Sequence, residues 1–365
     1  MTALRAAEAM SALPRSILVI RRDNIGDLLC TTPLFTALRR HYPAARITAL
    51  VNSYNAPALH GNGDIDQVLV YEKAKHRSAE KSFWHWLSGR WRVYRTLHAG
   101  AFDLVLLATS DFSASALKFA TLTHVDKIVG YALPSGNPNW ISVPPAEAGR
   151  HEVERVFRLL QPLGIDEAPP AMSLTADPKQ QQRLLATLPT SVKKCRLIGL
   201  HISARKPRQR WPVERFAELA RRLLNDGAQH LLVFWAPGSA SNATHPGDDE
   251  KAEALAATLS GLPVSFVRTS RLEELIAGLS LCERVICADG GAMHIAAALQ
   301  KPLVCLFGNS EAARWYPWGV PHRLLQSAAQ NVAEISVEQV LTAYHQLAAQ
   351  QNDVGNPAGD DILVV

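Results

Sequence analysis

SILVIRRDNIGDLLCTTPLFTALRRHYP, residues 16–43, passes from an apolar run through a glycine and an acid into a helical pattern. SILVI (16–20) shows no polar alternation, so both faces of the strand it predicts are covered, as in a parallel sheet. Gly26-Asp27 falls just past that strand. TTPLFTALRR then reads as helical, with Pro33 near its start. Strand, loop and helix in this order make the first half of a βαβ unit.

The same rhythm recurs along the chain. RITALV (46–51), QVLVY (67–71), FDLVLLAT (102–109) and KIVGY (127–131) read as strands, and HEVERVFRLLQPLG (151–164) as a helix stopped by Gly164. EAPPAMSLTADPKQ (167–180), rich in proline and polar residues, predicts an interdomain linker. The rhythm then restarts with CRLIGLHI (195–202) as a strand and WPVERFAELARRLLNDG (211–227) as a helix, Pro212 suiting its first turn and Gly227 its end. LLVFWAP (231–237), PVSFV (263–267), RVICAD (284–289) and PLVCLFG (302–308) follow as strands, separated by helical patterns at 249–259, 271–280 and 291–300. SVEQVLTAYHQLAAQ (336–350) predicts a last helix.

These readings predict an α/β chain: a loose tail over 1–15, one domain over 16–170, a second over 171–350 and a tail over 351–365. Two similar halves imply two Rossmann-like domains with parallel sheets facing a central cleft. Ligands of such sheets bind outside the carboxyl ends of the strands.

Composition agrees with that picture. Of 365 residues, 47% are hydrophobic, enough for two cores, and the 19% that are charged nearly balance, which argues against global disorder. A net charge of +5 suits an acidic or phosphorylated ligand, or an anionic surface. Cys30, Cys195, Cys282, Cys287 and Cys305 form no CxxC pair, and four of them sit in apolar runs. Buried, reduced thiols and a cytoplasmic location are expected. Residues 1–15 lack the apolar core of a signal peptide, and no run approaches 18 apolar residues. Any membrane contact is then peripheral.

Four stretches carry residues suited to chemistry. Asp27, at the sheet's carboxyl edge, is either a helix cap or a general base pointing into the cleft. In ADGGAMHIAAALQKPLVCLFG (288–308), Asp289, Gly290 and Gly291 form a strand-to-helix turn whose backbone N–H groups suit a phosphate, with His294 one turn in. Separately these are a plain turn and a packed histidine; together they favour an anion site. In HISARKPRQRWP (201–212), Ser203, Arg205, Lys206, Arg208 and Arg210 occupy a strand-to-helix loop, either a solvated basic loop or a pyrophosphate clamp. In KAKHRSAEKSFWHWLSGRWRVYR (73–95), Trp84, Trp86 and Trp91 interleave with Lys73, Lys75, Arg77, Arg90 and Arg92. That mixture suits a lipid headgroup region, single-stranded nucleic acid or a partly buried amphipathic helix. No GxGxxG follows the first strand, which counts against a nicotinamide dehydrogenase.

With IRRDNIGDLLCTTPLFTALRRHYP, HEVERVFRLLQPLGI, RWP before a helix and DGGAMHIAAALQKPLVCLFG in one chain, the sequence resembles glycosyltransferase family 9, the lipopolysaccharide heptosyltransferases, over roughly residues 16–345. The resemblance implies a GT-B fold, with the acceptor on the N-terminal domain and the nucleotide sugar on the C-terminal one. It implies inverting transfer of heptose from ADP-heptose to the lipopolysaccharide inner core or a lipid A precursor, with no metal ion, no cofactor and no nucleic acid partner. The cytoplasmic enzyme would work peripherally at the inner face of the inner membrane. Asp27 falls on the family's catalytic base. Asp289, Gly290, Gly291 and His294 fall on its motif for the donor's phosphates and sugar, where Asp289 either holds sugar hydroxyls or fixes the turn. The Thr269–Glu273 loop falls near the adenine. Two positions depart from the family pattern. Gly290 stands where Thr or Ser is usual, and Gln209 where a lysine is common. A member with another donor or acceptor therefore stays open, as does a non-catalytic nucleotide-binding module.

Overall fold

The computed structural model describes residues 13–72, 83–242, 246–352 and 362–364. The chain divides into two units, Met1–Ser173 and Leu174–Val365.

The first unit is built on six strands: β1 Ser16–Ile20, β2 Arg46–Asn52, β3 Gln67–Tyr71, β4 Leu104–Leu107, β5 Ile128–Tyr131 and β6 Trp140–Val143. They pair in parallel in the order β3-β2-β1-β4-β5-β6. β1 is the central strand, with Ile17 facing Ile47 on one side and Leu104 on the other. Its residues Ile17 to Ile20 are fully buried, the burial an unbroken apolar strand requires.

The second unit repeats the plan. β7 Leu197–His201, β8 His230–Trp235, β9 Val264–Arg268, β10 Arg284–Ala288, β11 Leu303–Phe307, β12 His322–Gln326 and β13 Ile362–Val364 pair in the order β13-β12-β11-β10-β7-β8-β9. Every pair is parallel. In both sheets the strand order reverses once, between β1 and β4 and between β7 and β10. Connections leave in opposite directions there, opening a crevice at the carboxyl ends of the strands.

Helix Val213–Asn225 illustrates how the second core forms. Phe216, Leu219, Ala220 and Leu223 recur at helical spacing and are buried. Just before it, Trp211 is buried edge-on to Phe216, and its Nε1–H donates to the Ile335 carbonyl at 2.8 Å. Pro212 caps this helix rather than entering its first turn.

Elsewhere the elements depart from the sequence pattern in detail. The expected helix 151–164 is α-helical only over Glu152–Phe157. It tightens to a 3-10 helix over Arg158–Leu163, where Pro162 supplies no N–H, and stops at Gly164 with φ +77°. Helix Pro178–Thr187 begins inside the proline-rich stretch, with Asp177 accepting from the Lys179 N–H at 2.9 Å. Strands β6, β12 and β13 and helix Ala114–Thr121 have no counterpart in the sequence reading, and β13 adds an edge strand beside β12 within the stretch 351–365 expected to be a tail. All five cysteines are free thiols, and burial pushes Cys282 up to about 12. Among the described residues, no helix is long and apolar enough to cross a membrane.

Candidate active site

In the first unit, the loop leaving β1 is tied down by two buried asparagines. Asn52 Nδ2 donates to the carbonyls of Arg22 and Asp23 at 2.9 and 2.8 Å, and Asn55 Nδ2 to that of Asp23 at 3.2 Å. The loop then enters helix Ile25–Leu29, in which Asp27 is the third residue.

Both of Asp27's expected alternatives bear on what is found. Its Oδ2 accepts from the Asn24 backbone N–H at 3.0 Å and from Asn24 Nδ2 at 2.9 Å, so the side chain caps its own helix. Its Oδ1 accepts from Arg21 Nη2 at 2.8 Å. The same Arg21 nitrogen donates to Glu152 Oε1 at 2.8 Å, Nη1 donates to the Ala108 carbonyl, and Nε lies 3.3 Å from Asp23 Oδ2. Arg21 is 2% exposed, Glu152 fully buried and Asp27 13% exposed, so Asp27 is the member of this triad with some access to solvent. Burial works to raise the Asp27 carboxyl, but the Arg21 charge and the Asn24 hydrogen bonds outweigh it and hold it below the usual carboxylate range. A carboxylate offers about four lone-pair sites, and these partners leave one able to meet a hydroxyl.

Arg21, Asn52, Asn55 and Glu152 were missed as site residues. Asn52 and Asn55 had a usable signal: NSYN follows an apolar strand directly, putting two amides at the sheet's carboxyl edge. Glu152 had none, because its role rests on a contact across 131 residues of chain.

In the second unit, the loop after β7 and the turn after β10 meet at the reversal point. Gln209 is buried, and its Nε2 donates to Asp289 Oδ2 at 2.6 Å and to Ser310 Oγ at 3.1 Å. Asp289 thus spends one carboxylate oxygen on the loop. The turn itself is made by Gly290 at φ +152°, a backbone state that residues with a Cβ rarely adopt. Gly291 begins helix Gly291–Ala298, and His294, buried within it, meets the Trp315 ring edge-on at 5.9 Å.

The basic loop is anchored rather than loose. Ser203 Oγ accepts from the Ala236 N–H at 2.9 Å, and Arg210 Nε donates to the Ala204 carbonyl at 2.9 Å, with Nη2 3.6 Å from Asp248. A Cβ on Gly308, at the end of β11, would lie 2.5 Å from the Arg208 carbonyl oxygen, so this backbone approach needs glycine. Arg205, Lys206 and Arg208 are exposed, the last with a 3.4 Å contact to the Ala329 carbonyl. The Thr269–Glu273 loop follows β9, with Thr269 buried and hydrogen-bonded to the Trp235 carbonyl at 2.7 Å.

The tryptophan-rich stretch is only partly described. Lys73, Lys75 and Arg77 lie outside the described residues, and Trp84 and Trp86 fall within helix Phe83–Ala99. On that helix Arg90, Val93, Tyr94 and Leu97 form the inward stripe, while Trp91, Arg92 and Arg95 are exposed. Arg95 packs over the Trp91 ring at 4.9 Å.

The family model of glycosyltransferase family 9 (heptosyltransferase) matches residues 90–345. Lipopolysaccharide heptosyltransferase 2 of Salmonella typhimurium strain LT2 is 25% identical over 358 residues, covering 92% of this chain and 99% of that protein. The crystal structure of a family 9 glycosyl transferase from Veillonella parvula superposes with a TM-score of 0.75 at 21% identity, covering 92% and 97% of the two chains. Escherichia coli ADP-heptose lps heptosyltransferase II does so with a TM-score of 0.73 at 21% identity, covering 92% and 99%. The paired Rossmann-like units are those of the GT-B fold.

Proposed function

The chain belongs to glycosyltransferase family 9, and from this premise we propose that it moves heptose from ADP-heptose to the lipopolysaccharide inner core, with inversion and without a metal ion. The observation that carries the reading is positional. Asp27 sits at the reversal point of one sheet, and the Gln209–Asp289–Gly290 cluster at the reversal point of the other. In this reading the first unit takes the acceptor and the second the nucleotide sugar.

The acceptor hydroxyl meets the open lone pair of Asp27 and attacks the anomeric carbon as its proton passes to the carboxylate. The bond to the diphosphate breaks from the opposite face, and the leaving ADP collects the charge. Because Arg21 makes Asp27 a weak base, the proton moves late, when attack has already made the hydroxyl acidic. Arg21 also holds the carboxylate in one orientation.

The departing diphosphate is met by the amides of Gly290 and Gly291, by His294, by the Ser203 hydroxyl, and by Arg205, Lys206 and Arg208. Arg210 holds the loop that presents them. Asp289, oriented by Gln209, faces the sugar. Work at the inner face of the inner membrane is part of the proposal, and the exposed Trp91, Arg92 and Arg95 supply its amphipathic contact.

A second reading has specific support. Gln209 and Gly290 stand at two donor-facing positions where the family resemblance leads one to expect other residues. Another nucleotide sugar, or a later core acceptor, is therefore the alternative. Calorimetric titration of the purified chain with ADP, UDP, GDP and NAD in EDTA separates the readings. Selective ADP binding, followed by turnover of ADP-heptose, supports the first. Preference for UDP or GDP moves the assignment to another sugar, and preference for NAD removes the transferase reading.

A further inference from the structure

Lys251 is the third residue of helix Asp249–Thr258, whose N-cap is Asp248. A cation is poorly placed there, because the helix dipole already puts positive charge at that end. The side chain leaves its own helix instead. Its Nζ donates to the Ile202 carbonyl at 3.0 Å and to the Trp211 carbonyl at 2.8 Å. Ile202 is the residue after β7, and Trp211 the residue before Pro212, the N-cap of helix Val213–Asn225. Both carbonyls lie where regular structure stops, so each needs a donor from elsewhere. One ammonium serves both.

The two carbonyls bracket the basic loop 203–210, and Lys251 therefore closes its mouth. The next rung inward is Arg210 Nε on the Ala204 carbonyl at 2.9 Å. The tip is a 3-10 turn, in which the Gln209 and Arg210 N–H groups meet the Lys206 and Pro207 carbonyls at 3.0 and 3.1 Å. Ser203, Arg205, Lys206 and Arg208 ride on this frame. A loop closed in this way loses little freedom when an anion docks on it.

The ammonium sits in a mixed field. Nζ lies 4.6 Å from the centroid of the Phe216 ring. Asp248 and Glu214 favour the charged amine, while Arg210 opposes it. His201, at the end of β7, feels the Lys251 charge, but its own pKa of about 4 leaves it neutral at pH 7 and above. Burial outweighs the two acids and lowers Lys251 to about 8. A neutral amine still donates, but a bond without charge assistance is roughly half as strong.

We propose that Lys251 is a positioning residue for the donor: through the Ile202 and Trp211 carbonyls it holds the loop 203–210 in the shape that meets the diphosphate. The inference rests on the reading that the second unit takes the nucleotide sugar. Lys251 acts on the ligand only through the loop. The charged amine makes the stronger clamp, so affinity for the diphosphate is full below about pH 8 and falls as the amine loses its proton.

The test titrates ADP by calorimetry into the full chain at pH 7 and pH 9.5, using wild type, Lys251→Met, Lys251→Arg and Arg221→Met. Arg221 is the control. Its Nη2 donates to the Thr258 carbonyl at 3.0 Å, joining helices Val213–Asn225 and Asp249–Thr258 away from the loop. At pH 7, Lys251→Met should bind ADP about three- to thirtyfold more weakly than wild type, the usual reach of a residue that acts through its neighbours. Raising the pH should weaken wild type and Arg221→Met by up to the same factor and leave Lys251→Met and Lys251→Arg unchanged. Thermal melting of each sample separates loss of affinity from loss of fold. If Lys251→Met does not fold, Lys251→Arg decides, because its charge persists at both pH values. A wild-type decline that persists in Lys251→Arg overturns the proposal. So does a folded Lys251→Met that binds as tightly as wild type at pH 7. A weaker Lys251→Met that keeps the wild-type pH dependence reduces Lys251 to packing and overturns the clamp as well. If wild type binds no ADP, the donor reading falls and takes this inference with it. If ADP binding is undiminished in every variant, this inference alone falls.

Discussion

Arg21 and Asp27 are joined by a 2.8 Å hydrogen bond between Nη2 and Oδ1, and the same nitrogen reaches the fully buried Glu152. One guanidinium thus fixes the carboxylate that caps helix Ile25–Leu29 and links it to the start of helix Glu152–Phe157. It holds the first unit together, and it sets the protonation state of the group proposed as base.

Replacing Asp27 by Asn should lower turnover about 10²–10⁴-fold, the usual contribution of a positioned base. ADP affinity, read in the second unit, should hardly change. Stability should drop by about 1–3 kcal/mol, because Arg21 loses one charged partner but keeps Glu152. Steady-state kinetics, ADP titration and urea denaturation on one preparation check all three. Wild-type turnover in Asp27→Asn would remove Asp27 from the role.

Arg21→Gln addresses the electrostatics. In the wild-type chain Asp27 is held below the usual range. It is therefore ionised throughout neutral pH, and the stability this lends is lost only as pH falls through that lowered value. Without Arg21, burial acts with less opposition and Asp27 should rise. The acid limb of the pH–rate profile should then move to higher pH, and the protein should lose about 3–5 kcal/mol of stability, the usual result of breaking a buried pair from one side. An unmoved acid limb would show that another group controls it.

Gln209 is the second unit's counterpart test. Gln209→Ala leaves the buried Asp289 carboxylate without the donor now at 2.6 Å, and should cost about 1–3 kcal/mol of stability while weakening ADP-sugar binding. Gln209→Lys returns a donor to Asp289 and should restore both. Rescue by lysine, measured by thermal melting and titration, separates this positioning role from loss of packing alone.

Much of this was legible from local pattern, and the limits are physical. Unbroken apolar runs such as SILVI and RVICA marked central strands, because burial on both faces leaves no other composition. β6, with only Val143 buried, and β12, which starts and ends on His322 and Gln326, lacked that mark. Asp27 and Asp289 were recognisable from their place after a strand. Their partners were not. Arg21 carries no local mark that sets it apart, Gln209 stands where a lysine is common, and Glu152 lies inside an expected helix. Local pattern did not tell the two arginines apart, because both turn onto the core just past β1: Arg21 is 2% exposed among carboxylates, while Arg22 stacks on Tyr71 and Phe119.

His201 ties the stability of the second unit to pH. It ends β7 beside the proposed donor loop, is buried, and has its Nδ1 without a partner among the described residues. Burial, reinforced by the charge of Lys251, lowers its pKa to about 4, against a hydrogen bond with the Ser203 backbone that works the other way. The unfolded chain therefore binds a proton at about pH 6.5 that the folded chain refuses until about pH 4. Between those values the unfolded state holds more protons, so stability must fall as the solution is acidified. From pH 7 to pH 5 the loss from this one group is about 2 kcal/mol. His201→Leu, which does not titrate, should flatten the slope of urea-measured stability over that interval by about this amount. An unchanged slope would mean that the imidazole is protonated in the folded chain, and that its Nδ1 has found an acceptor there.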